Sequence, residues 1–392
     1  MIKWPKIRIA DEFNLQMGKT PARDNPSYWG GDLNWASIAD IARSGMYLSK
    51  TKETISQLAV DESSIKAVPP DTIVMSFKLS IGRTAITTDK MYTNEAIMAF
   101  LPYDSNSFDL HFLYHLFSNR DWSEGCNKAV KGVTLNKATL NAARIPKPDI
   151  SEQRTIALTL DKLRGLVEKC DEQIERLNQL VKSRFVEMFG DTFSNPKKWP
   201  SKTFQEAGNR LSDGPFGSNL KSSHYSDSGV RVIRLGNIGV GKFIDDDRAF
   251  IPYDHYEKLK KYTCRAGEIV IGTLGDPNLR ACLVPPSIEI AVNKSDCVHY
   301  LPRRDLLDEQ YVCWFLNAPG TLRLAASMIH GQTRSRVSSG QIAKMPIRIP
   351  PLALQREFAA FVAKVDKLAF AARRRRDLAQ QMYRAKIQEF FG

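Results

Sequence analysis

"RIPKPDISEQRTIA" occupies residues 144–157 and "RIPPLALQREFAAF" occupies residues 348–361. Both phrases pass through prolines to a Gln-Arg pair and then enter an apolar-striped run. Placing Gln153-Arg154 on Gln355-Arg356 sets an offset of 202, from 355 − 153, and at that offset Phe189-Gly190 falls on Phe391-Gly392 without a gap. One long element is therefore written twice, at equal length.

In the first copy Ile156, Leu160, Leu163, Val167, Cys170, Ile174, Leu177, Val181 and Met188 recur at four-three spacing, interrupted only by Arg184. That spacing keeps an apolar seam on one side of a supercoiled helix. Asp149 with Glu152 has capping-box spacing after Pro148, and Gly190 offers a left-handed stop. The reading is a helix of about 38 residues, hence ~57 Å. The second copy carries Phe358, Phe361, Val362, Val365, Leu368, Ala372, Leu378, Ala379, Met382, Tyr383, Ile387 and Phe390, with Arg376 where the first has Ile174. Two such stripes are expected to cover each other. Because the second globular segment starts where the first helix stops, the second helix must run back antiparallel.

The repeat continues more faintly outside the helices. "WASIADI" (35–41) matches "VIRLGNI" (232–238), and "TIVMSFK" (72–78) matches "EIVIGTL" (268–274), both as short buried strands. A Gly/Ser/Asn-rich loop precedes each first strand: "GKTPARDNPSYWGGD" and "SDGPFGSNLKSSHYSDSG". The fold class is α+β, with two mainly-β domains separated by two long antiparallel helices in a pseudo-two-fold tandem repeat. The expected boundaries are residues 1–148 for the first domain, 149–190 for the first helix, 191–349 for the second domain and 350–392 for the second helix.

Composition bounds the function. The 392 residues exceed what one small core needs. Hydrophobic content of 43% and charged content of 25% match globular proteins rather than disordered or fibrous ones. No run of eighteen uncharged apolar residues and no apolar leader stands in the sequence, so a cytoplasmic protein is expected. The cysteines at 126, 170, 264, 282, 297 and 313 form no CxxC, which argues against a zinc site or a disulfide framework. A net charge of +13 favours a polyanionic partner. Residues 149–190 hold 7 basic and 8 acidic side chains, so the first helix suits a protein contact better than a phosphate track.

The chemical motifs are thin. "NPSYW" (25–29) approaches the Asn-Pro-Pro-Tyr pattern of amino-methyltransferases but lacks the second proline and a glycine loop, and reads by default as a turn followed by an aromatic pair. His111 and His115 stand four apart on an apolar helix without a following glutamate, which favours core or boundary histidines over a metal site. "RRRR" (373–376) covers all sides of a helix and is read as solvated rather than base-reading. No P-loop, nucleophile triad or carboxylate pair is present, so no catalytic residue and no metal ligand is assigned. The loops supply the DNA-binding candidates. They are Lys19, Arg23, Lys78, Arg83, Lys131 and Thr134 in the first domain, and Ser218, Asn219, Lys221, Arg234, Asn237, Arg280, Gln332 and Arg334 in the second. Arg, Lys, Asn and Gln can read base edges, while Ser, Thr and the other cations fix phosphates.

"TPARDNPSYWGGDLNWASIADI", "DGPFGSNLKSSHYSDSGVRVIRLGNI" and the twin proline-to-Gln-Arg helix starts, "IPKPDISEQR" and "IPPLALQR", resemble the recurring phrases of the specificity subunits of type I restriction-modification systems, over essentially the whole length. The resemblance implies two target recognition domains, each reading one half of a split, asymmetric DNA site, with the helices as a ruler. It also implies two modification subunits docked on the helices and carrying S-adenosylmethionine, and restriction subunits that use ATP. No cofactor is expected in this chain. A ~57 Å spacer would cap the separation of half-sites at roughly 16 base pairs. A protein-binding adaptor with incidental basicity is the alternative of another class, separable by the salt dependence of DNA binding. A self-sufficient methyltransferase would betray itself by methyl transfer without partners.

Overall fold

The computed structural model describes residues 4–122, 128–129, 132–133, 135–328 and 336–392. Contacts divide the chain into two compact units, Met1–Asp171 with Arg373–Gly392, and Glu172–Ala372. The division cuts both long helices, Ile150–Phe189 and Leu352–Phe391. Each unit thus takes one β-rich domain, the near half of one helix and the far half of the other, which makes the helices antiparallel.

The first helix begins as its sequence dictates. The Asp149 carboxylate accepts from the Glu152 amide at 2.9 Å, and the helix stops at Gly190 with φ of 81°. In the first unit Ile156 and Leu160 share a core with Tyr383, Ile387 and Phe390 of the second helix. In the second unit Val181, Phe185 and Met188 share one with Phe358, Val362 and Val365. Leu163, Val167, Ile174 and Leu177 are half-buried between these ends.

The seam of the second helix differs from expectation in its middle. Leu368 and Met382 are exposed, at 55% and 49%. Bulky anchors at both ends fix the register, and four-three steps from Val365 land on Ala369, Ala372, Arg376, Ala379 and Tyr383. The three alanines are buried, and Arg376 reaches Asp171 of the first helix at 3.3 Å. Leu368 and Met382 each sit one residue, about 100°, off that line.

Each unit stacks helices on a central sheet and the central sheet on a second one, smaller in the first unit and equal in strand number in the second. The central sheet of the first unit runs Phe13–Met17, Ile97–Pro102, Ile73–Ser76, Thr84–Thr87, Tyr47–Leu48. That of the second runs Gly208–Ser212, Cys297–Pro302, Ile269–Gly272, Arg280–Leu283. The middle strands are buried on both faces, so alternate side chains enter different cores. Ile73 and Met75 face the helices while Val74 faces the smaller sheet; Ile269 and Ile271 part from Val270 in the same way. In these second sheets Trp35 pairs in parallel with Tyr92, and Val232 with Val292.

The two proline phrases that lead into the long helices each pair with a strand from the start of their β-rich domain. Arg144–Pro146 pairs with Lys6–Arg8, and Pro346–Arg348 with Ser201–Thr203. The glutamine that follows is fully buried in both copies. Gln153 accepts from the Asp109 amide at 2.8 Å and donates to the carbonyls of Pro148 and Ser107 at 3.0 and 3.3 Å. Gln355 accepts from the Asp308 amide at 2.9 Å and donates to the carbonyls of Pro350 and Leu306 at 2.8 and 3.0 Å. Asp109 and Asp308 themselves cap the helices Leu110–Asn119 and Glu309–Asn317. One side chain thereby ties the long helix to the domain helix, and a buried amide with three partners is costly to replace.

The paired histidines pack at the boundary between domain and helices. Both rings bond Asp161 of the first helix, His111 at 2.5 Å and His115 at 2.8 Å. Tyr47 reaches the far side of His111 at 2.6 Å, and Tyr383 of the second helix meets His115 at 3.0 Å. Among the described residues no helix is long and apolar enough to cross a membrane.

Candidate nucleic-acid interface

Both cation-bearing loops leave the central sheet at a glycine that nothing else can replace. A Cβ on Gly18 would lie 2.2 Å from the carbonyl oxygens of Thr93 and Asn94, and one on Gly214 would lie 2.3 Å from that of Asn293. Thr93 and Asn293 are the buried ends of equivalent strands. The two loops therefore start from the same anchored point and diverge only afterwards.

In the first unit Lys19 is exposed and its ammonium donates to the Ser63 carbonyl at 2.6 Å. Arg23 grips both oxygens of Glu53, at 2.6 and 3.1 Å, with its guanidinium 3.8 Å above the Trp29 ring. Trp29 meets Trp35 edge-on at 5.0 Å. Asn25 caps the turn Pro26–Tyr28 through the Ser27 amide, so "NPSYW" is a turn and an aromatic pair. Thr20 donates to Glu95, whose carboxyl is held below its ordinary range by that bond first and by the charges of Lys78 and Arg23 as well. Thr20, Arg23 and Lys78 thus gather around Glu95. Arg83 is exposed at the end of the loop that joins Ile73–Ser76 to Thr84–Thr87, the loop that also carries Lys78.

In the second unit Ser218, Asn219 and Lys221 are exposed on the loop. The Asn219 amide donates to the Phe216 carbonyl at 3.2 Å. Arg234 pairs with Asp247 and stands 5.7 Å over the Tyr225 ring. Arg280 donates to the Leu274 carbonyl at 3.2 Å. Asn237 is a correction: it is fully buried, accepts from the Arg234 amide and donates to the carbonyls of Ile244 and Asp247, each at 2.9 Å. Its counterpart Asp40 accepts likewise from the Ser37 amide at 2.9 Å. Both side chains brace a turn, so neither can read a base. Lys131, Thr134, Gln332 and Arg334 lie outside the described residues.

Sequence reasoning missed Lys294, Tyr225 and Arg336. Lys294 donates to the Tyr225 hydroxyl at 3.2 Å, and Arg336 pairs with Asp296 at 2.9 Å. Lys294 aligns with Asn94, just past the parallel strand of the second sheet; only that pairing, absent from any periodicity, puts it beside Arg234. The resulting rim of Arg234, Tyr225, Lys294, Arg336 and Arg280 sets four cations against Asp247 and Asp296. Such groups suit phosphates and acceptor-rich base edges.

The sequence profile of the type I restriction modification DNA specificity domain matches residues 1–179. The MjaIX type I restriction enzyme specificity subunit of Methanocaldococcus jannaschii is 31% identical over 265 residues, 67% of this chain and 59% of that subunit. The chain belongs to the type I restriction-modification specificity subunits. Another specificity subunit of the same organism, MjaVIII, is 21% identical across 95% of this chain and 88% of its own length. The type I restriction-modification S subunit from M. genitalium has the same fold, with a TM-score of 0.60 and 15% identity over 100% of this chain and 96% of that one. The chain spans 59% of the MjaIX subunit's length. The specificity-domain match ends inside the first long helix, and the second unit repeats its plan at nearly constant offset.

Proposed function

We propose that this chain is the DNA-recognition and scaffold subunit of a type I restriction-modification complex, itself without catalytic chemistry. Each β-rich domain reads one half of a bipartite, asymmetric duplex site. The observation that carries this reading is the pair of equivalent loops that leave the fold at Gly18 and Gly214 and then present different side chains. Equal scaffolds with unequal rims are what two unrelated half-sites require. The expected domains are residues 1–148 and 191–349, and the helices of 149–190 and 350–392 set the gap between half-sites. At 40 residues each, the helices reach ~60 Å, which limits that gap to under about 18 base pairs.

Two modification subunits would dock on the helices, whose outward faces carry Leu158, Leu180, Val186, Leu368, Phe370 and Leu378 exposed. Those subunits would bring S-adenosylmethionine, and restriction subunits would bring ATP-driven steps, in the cytoplasm. The full chain with its modification subunits should select a bipartite motif from random duplexes, with affinity falling steeply between about 50 and 200 mM salt. Enrichment of one continuous motif, or salt-independent binding, would overturn the reading.

A further inference from the structure

The second rim contains three arginines held alike. Each is tethered through Nη2: Arg280 to the Leu274 carbonyl at 3.2 Å, Arg336 to Asp296 at 2.9 Å, and Arg234 to Asp247. The Nε of each is enclosed and has no hydrogen-bond partner. Among the described residues no hydrogen bond or ion pair engages Nη1 of any of them. A guanidinium fixed in this way keeps its far end, one N–H on each Nη, as a two-pronged donor of set orientation.

Arg280 and Arg336 stand together. Arg280 bonds the Leu274 carbonyl, and Leu274 forms a β-bridge with Arg336. Two oriented forks at one hairpin end match two purine edges, and guanine is the base that offers adjacent O6 and N7 acceptors in the major groove. Among the described residues the first unit has no cation at the three matching positions. Thr84 stands where the second has Arg280, Ser37 where it has Arg234, and Asn94 where it has Lys294. Its Arg23 already has both prongs on Glu53.

We propose that the half-site read by the second unit contains guanine at two positions, one read by Arg280 and one by Arg336, a reading that rests on the DNA-recognition role proposed above. Arg280→Lys and Arg336→Lys test it, because lysine keeps the charge that holds phosphates but lacks the fork. The full chain with its modification subunits is challenged with random duplexes, and the selected motifs are compared with that of the unaltered complex. Each variant should lose preference at one G·C pair of one half-site, by about five- to a hundredfold, and keep the other half-site intact. The intact half also reports that the variant is folded. Loss at no G·C pair, loss at both halves alike, or an affected half without guanine overturns the proposal. An unaltered complex that selects no bipartite site would instead remove the DNA-recognition role, and this inference with it.

Discussion

The two places where a β-rich domain meets the long helices solve one packing problem with opposite chemistry. In the second unit Phe185, Phe189, Tyr311, Trp314 and Phe358 form a cluster of rings, with Phe185 to Phe358 at 5.4 Å and Phe189 to Tyr311 at 4.7 Å. In the first unit the helix counterparts of Gln310, Trp314, Ala363 and Val181 are His111, His115, Asp161 and Tyr383. There Tyr47, His111, Asp161, His115, Tyr383 and Asn119 make a continuous hydrogen-bonded chain. One proton arrangement satisfies it: Asp161 accepts from both rings, Tyr47 and Tyr383 donate to the remaining ring nitrogens, and the Asn119 amide donates to Tyr383. Rings tolerate small shifts and add burial energy, whereas the polar chain is directional and fixes orientation. The same backbone thus supports a strong joint and an aligned one.

Removing the heart of the ring cluster should have the largest effect. Phe358→Ala should lower stability by about 3–5 kcal/mol, read as a denaturant midpoint; a loss below about 1 kcal/mol would mean the rings do not carry that joint. Acid should act next. His299 is buried in the second unit, 2.9 Å from Glu268 but with neither ring nitrogen hydrogen-bonded. Burial first, and Arg210's charge second, push its pKa down to about 4. His115 is lowered too, by burial against the opposing pull of Asp161. Both folded values lie below the unfolded one, so the stability these groups hold above pH 6.5 is lost as pH falls toward the folded value. For His299 the interval sets an upper bound of roughly 3 kcal/mol. His299→Leu should flatten the acid limb of a stability–pH curve, and an unchanged limb would contradict the assignment.

Asp161→Asn tests the polar joint. The new amide can accept from one imidazole but turns a donor toward the other, at a cost of about 1–3 kcal/mol. Hydrogen exchange should show faster opening of Leu110–Asn119 and no change in Glu309–Asn317; equal loosening of both would erase the contrast. The smallest effects belong to Leu368→Gln and Met382→Gln, expected within about 0.5 kcal/mol. A loss above about 2 kcal/mol from either would return them to the seam.

Much of the scaffold was legible. The four-three seam of the first helix, the capping Asp149 and the stop at Gly190 follow from local spacing, which needs no knowledge of distant partners. The second seam misled because alanine carries little hydrophobic signal, while neighbouring Leu368 and Met382 carry much; only the end anchors reveal the register. The Gln-Arg phrase advertised a repeat but not its cause, since a buried glutamine looks like a surface one until its three partners are known. At the interface, Asn237 fits both base reading and turn bracing, and burial decides between them. Lys294 and Arg336 were invisible because parallel pairing and a β-bridge bring them to the rim from far along the chain. The shared spacing of Leu15-Gly18 and Leu211-Gly214 was a signal that could have located both loop origins.

The second unit is one uninterrupted stretch, Glu172–Ala372, but the first is closed by Arg373–Gly392, which follows the second in the chain. Tyr383, Ile387, Phe390 and Phe391 all pack onto its core. During synthesis, the first unit must therefore wait, one face uncovered, until Arg373–Gly392 emerges behind the whole of the second unit, so the unit begun later is finished sooner.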